Sequence, residues 1–327
     1  MRAVTLSEFG PPSVLTPVDD WPDPSPGPDQ VLVQVAFANI TFVDTQIRAG
    51  RAPNPAMAPA LPAVLGNGVG GVVGAVSAGV DPTLIGNRVI TSTGGSGGYA
   101  QRCAVLATGL IPIPDPIRVD EAVALLADGR TALALIDAAG LSSTDTVLVE
   151  AAAGGVGSLL VQLAAHAGAR VVALAGGSRK LTIARELGAD VGVDYLQPDW
   201  AVTVHEEVGR VDVVYDGVGG QVGRDAFGLL GPSGRYAGFG MASGSFGDVP
   251  ATTRPDVARL TLGSIPPDQS AQLTRRALDL AGRGVLHPII GQRFPLEKAA
   301  VAHAAIEARA TIGKTLLVVD ADLTGAR

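Results

Sequence analysis

The densest chemistry in the chain lies in Val147-Leu148-Val149-Glu150-Ala151-Ala152-Ala153-Gly154-Gly155-Val156-Gly157. An apolar strand runs into a turn of small residues, and the turn runs into an apolar helix. Ala152, Gly154 and Gly157 keep the spacing of G-x-G-x-x-G, with alanine in the first place. At Gly154 the missing side chain lets the backbone approach a pyrophosphate, and at Gly157 it lets the helix pack closely on the strand. The helix start offers free N–H groups and the positive end of its dipole to an anion. A glycine triplet by itself also fits an ordinary tight turn. Here strand, loop, helix and next strand fall within one βαβ unit, so Gly154, Gly155, Val156 and Gly157 are the expected dinucleotide-binding residues.

The type of dinucleotide is read at the end of the second strand. An NAD site uses an acidic residue there to hold the ribose 2′-hydroxyl. The strand Val171-Val172-Ala173-Leu174 ends in Ala175, and Gly176-Gly177-Ser178-Arg179-Lys180 follows. Ser178, Arg179 and Lys180 offer a hydroxyl and two cations to a 2′-phosphate. The alternative is that Arg179 and Lys180 are ordinary surface cations. Cations in a first helical turn oppose the dipole, which favours the phosphate reading and NADPH as the cofactor.

The other reactive side chains point to less. Cys103 is the single cysteine, so neither an internal disulfide nor a cysteine-rich zinc site is expected. It follows Gly98-Tyr99-Ala100-Gln101-Arg102 in a strand-like run and is expected to be buried and inert. His166, His205, His287 and His303 are expected in surface or packing roles, and Tyr99 as a structural aromatic.

Elements must position this loop. From 145 to about 262, short apolar strands alternate with helices, at 146–149, 156–167, 170–174, 178–187, 191–193, 199–208, 211–215 and 234–240. Such alternation implies right-handed βαβ units and a doubly wound parallel sheet. Residues 1 to about 118 are instead rich in Pro, Gly and short β-like runs, such as Val31 to Phe37 and Val69 to Val80. A proline-heavy loop lies at 51–62. Helical spacing runs from Val119 to a stop at Gly140. The end of the chain is mixed, with a helix at 269–281, a short strand at 288–291, a helix at 296–308 and a last strand at 315–319. These final pieces resemble the first region, so the nucleotide domain reads as an insertion into a discontinuous first domain.

Composition sets the outer bounds. The chain has 327 residues, 47% hydrophobic and 17% charged, which supplies a large core and suits two domains. A net charge of −7 without a basic run argues against nucleic acid as a partner. Met1 to Thr5 read as a strand start, and the apolar window at 147–167 is broken by glycines. A soluble cytoplasmic protein with no membrane span is expected.

The chain resembles the medium-chain dehydrogenase/reductase superfamily, in its zinc-free quinone oxidoreductase (zeta-crystallin-like) branch. The resemblance rests on Ala151 to Gly157, Val211-Asp212-Val213-Val214-Tyr215-Asp216-Gly217-Val218-Gly219, Gly234 to Gly240, Ile289 to Leu296 and Gly313-Lys314-Thr315. It implies a GroES-like, mostly β catalytic domain over 1–118 and 287–327, and a Rossmann α/β domain over 119–286. It also implies an active site in the cleft between them. By position, Asn39, Phe42 and Thr131 match residues lining the nicotinamide or substrate pocket. Tyr195 matches a residue flanking the adenosine phosphate, and Val218, Phe239 and Gly240 match residues along the cofactor. Relatives are often homodimers.

Where zinc-dependent relatives carry Gly-His-Glu, this chain has Gly66-Asn67-Gly68, and residues 39–44 hold no cysteine. No metal is expected. The chain departs from the branch at two places. A tyrosine frequent in the segment matching 44–51 is absent, with Gln46 and Arg51 there instead. Asp128-Gly129-Arg130-Thr131 is unusually charged, so Asp128 and Arg130 either bind substrate or form an ion pair. The expected reaction is hydride transfer to a quinone or to the β-carbon of an enone. Asn39, Thr131 and Arg130 are the candidate catalytic residues, with water, Thr131 or Arg130 as the donor to the developing enolate. The alternatives are an enoyl or tailoring reductase of secondary metabolism, and an NADPH-binding protein without turnover.

Overall fold

The computed structural model describes residues 1–247, 249–250, 253–263 and 265–325. By packing, the chain divides into two compact units. One is Met1–Ala127 with Thr274–Gly282 and Pro288–Arg327, and the other is Asp128–Leu273 with Arg283–His287. This division falls inside a long helix, α2 below, where the sequence put it at the helix start. The first turns of that helix, through Val119 and Val123, pack on Gly70 of the first unit. Further along, the Leu135 carbonyl accepts the Tyr215 hydroxyl of the second unit.

In chain order the first unit has β1 (Ala3–Leu6), β2 (Leu15–Val18), β3 (Gln30–Ile40), α1 (Phe42–Arg48), β4 (Ala63–Val64), β5 (Gly68–Val76), β6 (Arg88–Ser92), β7 (Arg102–Leu106) and β8 (Ile111–Pro112). Strand β3 begins with period-2 burial: Val31, Val33 and Val35 are buried and Gln34 is exposed. From Val35 to Ile40 it is buried throughout. A bulge between Val35 and Phe37 brings β5 so close that a Cβ on Gly71 would stand 1.9 Å from the Gln34 carbonyl oxygen. Only glycine fits there.

Helix α2 (Val119–Ala139) ends at Gly140, whose φ of 58° is the left-handed stop expected of a glycine. The second unit continues with β9 (Thr146–Val149), α3 (Gly155–His166), β10 (Arg170–Ala175), α4 (Ser178–Glu186), β11 (Val191–Asp194), α5 (Trp200–Val208), β12 (Val211–Asp216), α6 (Gly220–Gly228), β13 (Leu230–Gly238) and β14 (Ala258–Arg259). Among the described residues its sheet has six strands in the order β11-β10-β9-β12-β13-β14, every pairing parallel. This is the doubly wound order. Leu148, Val172, Leu174, Val213 and Val214 are fully buried, as befits strands covered on both faces.

The chain closes with α7 (Pro267–Gly282), β15 (Gln292–Pro295), α8 (Ala299–Glu307) and β16 (Thr315–Val318). Strands β15 and β16 join the first unit's larger sheet, ordered β15-β16-β3-β5-β6-β8, with β7 also pairing β3. A smaller sheet runs β2-β1-β4.

Three expectations need correction. The strand expected at 288–291 is displaced to Gln292–Pro295, and Ile290 makes only a single bridge to Gly313. Pro288 has no N–H to give, and Gly291 is pressed against the Ile312 carbonyl. The strand expected at 234–240 runs from Leu230 to Gly238, so Phe239 and Gly240 fall in the turn after it. Helix α6 was not expected, because Gly220, Gly223 and Gly228 depress helix propensity.

Candidate functional site

Strand β9 lies between β10 and β12, and the chain leaves it toward one side before returning to the other. The carboxyl ends of β9 and β12 therefore border the topological switch point, where ligands bind in open α/β sheets. Helices α3, α4 and α6 begin along this edge. Their N-caps are Gly154, Gly177 and Gly219, and none has a side-chain cap. Helix α1 of the first unit is built differently, with Thr41 and Asp44 closing a reciprocal capping box. In α3 the first intrahelical bond runs from Ser158 N–H to the Gly154 carbonyl. The N–H groups of Gly155, Val156 and Gly157 precede it and have no partner within the helix.

The loop before α3 is rigid for a local reason. Ala151 sits at φ 49° and its carbonyl accepts the Gly154 N–H at 2.7 Å. A Cβ on Gly157 would stand 2.3 Å from that same carbonyl oxygen, and a Cβ on Gly155 would stand 2.0 Å from Asp128 Oδ2. Gly157 is required by its contact with backbone, whereas at Gly155 the Asp128 side chain would have to move. The loop has what a pyrophosphate needs in its backbone: helix-start N–H donors and no side-chain cap at Gly154, with the Asp128 carboxyl group lying beside Gly155.

The next strand end also fits. After Ala175, Gly176 and Gly177 turn the chain, Gly177 at φ 87°. Ser178 and Arg179 are exposed and Lys180 is half-buried at the start of α4. Tyr195 follows β11, its hydroxyl 3.6 Å from where a Cβ on Gly176 would lie. Val218, Phe239 and Gly240 follow β12 and β13, with the N–H groups of Phe239 and Gly240 donating to the Asp216 carbonyl at 2.9 and 3.2 Å. The cofactor-binding candidates thus lie along one edge of one sheet.

Two residues on this edge were not singled out from sequence. Glu150 and Asp216 are fully buried at the ends of β9 and β12. Glu150 Oε2 accepts the Val218 N–H at 3.1 Å. Asp216 Oδ1 accepts the N–H groups of Val218 and Gly219 at 3.0 and 2.5 Å, and Asp216 Oδ2 accepts the Tyr236 hydroxyl. Burial, followed by the adjacent Asp216, holds the Glu150 acid well above its ordinary value of 4.5. The sequence signal was a lone acidic residue at the end of an apolar strand.

Of the catalytic candidates, Arg130 and Thr131 lie on α2 within the second unit. The Arg130 Nη1 donates to Ser270 Oγ at 2.8 Å. Burial lowers the guanidinium's pKa and the nearby Asp128 opposes that shift. Asn39 belongs to the first unit, on β3, and is 1% exposed. Its Oδ1 is buried without a partner among the described residues, and its amide presses on Gly68, whose Cβ would come within 2.5 Å of Nδ2. Phe42 opens α1. Gln46 and Arg51 bond each other, Arg51 Nε donating to Gln46 Oε1 at 3.2 Å. Cys103 is buried and its thiol is pushed up to about 12 by burial, as an inert thiol should be.

Comparison with known proteins identifies the family. A family model described as zinc-binding dehydrogenase matches residues 155–266, and one described as alcohol dehydrogenase GroES-like domain matches 27–115. The chain is 32% identical to the quinone oxidoreductase of Pseudomonas aeruginosa, covering 97% of this chain and 99% of that one. The chain belongs to the medium-chain dehydrogenase/reductase superfamily, in its quinone-oxidoreductase-like branch. Within that superfamily it is also 33% identical to the 2-haloacrylate reductase of a Burkholderia species, over 91% of this chain and 93% of that one. Among solved structures, an Escherichia coli quinone oxidoreductase complexed with NADPH superposes with a TM-score of 0.88 at 29% identity. That match covers 98% of this chain and 100% of the other. Among the described residues of this family member, no group of three or more His, Cys, Asp or Glu is placed to hold a metal ion. No helix among them is long and apolar enough to cross a membrane.

Proposed function

We propose that this protein is a zinc-independent, NADPH-dependent oxidoreductase that reduces a quinone or an α,β-unsaturated carbonyl compound. The observation that carries the reading is the glycine-capped start of α3 at the switch point, without a side-chain cap, beside a β10 end that carries cations in place of a carboxylate. Relatives described as quinone oxidoreductase and 2-haloacrylate reductase, and a neighbour solved with NADPH, support it.

The backbone donors of Gly155, Val156 and Gly157 hold the pyrophosphate in this reading. Ser178, Arg179 and Lys180 meet the 2′-phosphate, with Tyr195 beside the adenosine and Val218, Phe239 and Gly240 along the rest of the cofactor. NADPH supplies a hydride, which goes to the quinone or to the enone β-carbon while a solvent proton completes the reduction. Asn39, Thr131 and Arg130 are assigned to the substrate side. The unpartnered Asn39 Oδ1 suits an acceptor role toward a ligand N–H or O–H. Arg130 supplies a fixed positive charge toward developing enolate oxygen. The proposal extends to domains bounded near 1–118 with 287–327 and 119–286, and to a cytoplasmic homodimer.

The test is oxidation of NADPH and NADH followed by absorbance against a panel of quinones, enones and 2-haloacrylate. Turnover with NADPH well above NADH is the expected result. Tight NADPH binding with no turnover across the panel overturns the oxidoreductase reading.

A further inference from the structure

Two carboxyl groups meet in the core at the base of the switch point. Glu150 leaves the end of β9, Asp216 ends β12, and both are 0% exposed. They converge on the same donor, the Val218 N–H, which lies 3.1 Å from Glu150 Oε2 and 3.0 Å from Asp216 Oδ1. Asp216 is satisfied on both oxygens by Val218, Gly219 and Tyr236. The remaining oxygen of Glu150, Oε1, is buried with no partner among the described residues. A buried carboxylate oxygen without a donor is costly, whereas a protonated one has a hydrogen to give.

The surroundings fix the pair from several directions. A Cβ on Gly223 of α6 would stand 2.1 Å from Asp216 Oδ2, and one on Gly247 would stand 2.5 Å from it. Both positions must therefore be glycine to admit the Asp216 carboxyl group. The facing ionisable groups are Tyr236 from β13 and, acting on Tyr236, Arg259 from β14. Among the described residues, no Lys or Arg is among the groups acting on Glu150. Two negative charges in that setting would face no counter-ion among those residues.

We propose that Glu150 carries a proton, donates it to Asp216, and with it positions the Gly217–Gly219 turn at the edge of the cofactor site. The pair then bears a single negative charge. Its hydrogen bonds aim the Val218 and Gly219 N–H groups inward and hold the turn in place beside Phe239. The Phe239 ring would stand 2.8 Å from a Cβ on Gly217. Glu150 is a positioning residue, acting on the cofactor through that turn. The functional part rests on the NADPH reading above; the shared proton does not.

Infrared difference spectroscopy of the whole protein against Glu150→Gln tests the proton directly. A buried carboxylic-acid carbonyl band in the wild type, lost in E150Q, is expected; its absence from the wild type overturns the proposal. Thermal melting provides an independent check. Glutamine keeps a donor and cannot ionise, so the advantage of E150Q in Tm should grow from about pH 5 to about pH 8. An equal offset at both values overturns the shared proton. For positioning, fluorescence titration with NADPH should give E150Q an affinity close to wild type and Glu150→Ala a loss of about tenfold. Wild-type affinity in E150A overturns that role. If E150A does not fold, Asp216→Asn is titrated instead, with the same expected loss and the same overturning result. If the wild type itself fails to bind NADPH, the functional reading fails while the infrared and melting results still decide the proton.

Discussion

Replacing Gly157 with alanine separates stability from cofactor binding, and the structure sets the size of each effect. The new Cβ would stand 2.3 Å from the Ala151 carbonyl oxygen and 2.8 Å from its carbon. Ordinary contact begins near 3.4 Å, so the start of α3 must retreat by roughly 1 Å. The carbonyl cannot retreat instead, because the Gly154 N–H holds it at 2.7 Å and Ala151 is already at φ 49°. Overpacking of this kind costs about 1–3 kcal/mol, and the gain in helix propensity from Gly to Ala returns about 1 kcal/mol. Net stability should therefore fall by only about 0–2 kcal/mol, a few degrees in Tm at most. Cofactor affinity has no such offset. The N–H groups of Gly155, Val156 and Gly157 move with the helix, and each charge-assisted bond to a phosphate is worth about 1.5–3 kcal/mol. The loss of one of them weakens NADPH binding by about tenfold or more. The assay is fluorescence titration of NADPH with a melting curve on the same preparation. Gly228→Ala in α6, where nothing lies within 4 Å of the added Cβ, is the control and should bind normally. An unchanged affinity in G157A, alongside a normal melt, refutes the assignment of this loop.

At the other end of the cofactor, Arg179→Ala combined with Ser178→Ala should weaken NADPH binding by about tenfold and leave NADH unchanged; equal losses for both would show that these residues do not read the 2′-phosphate. In the first unit, the Tyr99 hydroxyl lies 3.0 Å from His303 Nε2, both groups fully buried. Tyr99→Phe strands that ring nitrogen and should cost about 1–3 kcal/mol in chemical denaturation, and a loss well below this range would mean the bond contributes little. Burial pushes His303 down from 6.5 to about 3, so the unfolded chain binds the extra proton between those values and stability is lost as pH falls through that window. Glu150 has the opposite sign: its acid is held above 4.5, and its contribution is lost as pH rises. Between 4.5 and 6.5 the two oppose each other, so E150Q should lose stability on acidification more steeply than wild type; parallel curves would refute the paired assignment.

Much of the second unit was legible because its signals are local. Strand β9 has the bounds its apolar run suggests, and α3 starts within a residue of where the glycines place it. The phosphate loop is read from consecutive residues, since both the turn and the helix start are made by neighbours in the chain. What stayed hidden depends on contacts distant in sequence. Helix α6 carries Gly223 because that position must admit the Asp216 carboxyl group, a requirement that propensity cannot register. Strand β14 is two residues long and exists only through its pairing with Arg235 and Tyr236. Glu150 and Asp216 looked like an odd residue in one strand and an ordinary one in another until the sheet order made β9 and β12 neighbours.

That last case explains why the pair repays attention beyond its contribution to stability. A buried acid facing a buried carboxylate is a poor choice for a core, and an apolar residue at either position would remove the problem. In natural sequences, local rules are broken mostly where a site requires it. Here the break occurs at the two strands that border the switch point, and both acids take the Val218 N–H. The Tyr99–His303 pair offers a useful contrast, for it is also buried and polar, yet the tyrosine hydroxyl and histidine Nε2 bond each other without a shared charge. Packing alone calls for pairs of that neutral kind. A carboxyl–carboxylate pair adds a fixed negative charge and two aligned backbone donors to one turn. What the pair gives that a neutral or apolar pair would not is the set of acceptors that pins the Val218 and Gly219 N–H groups, and with them the turn at the cofactor edge.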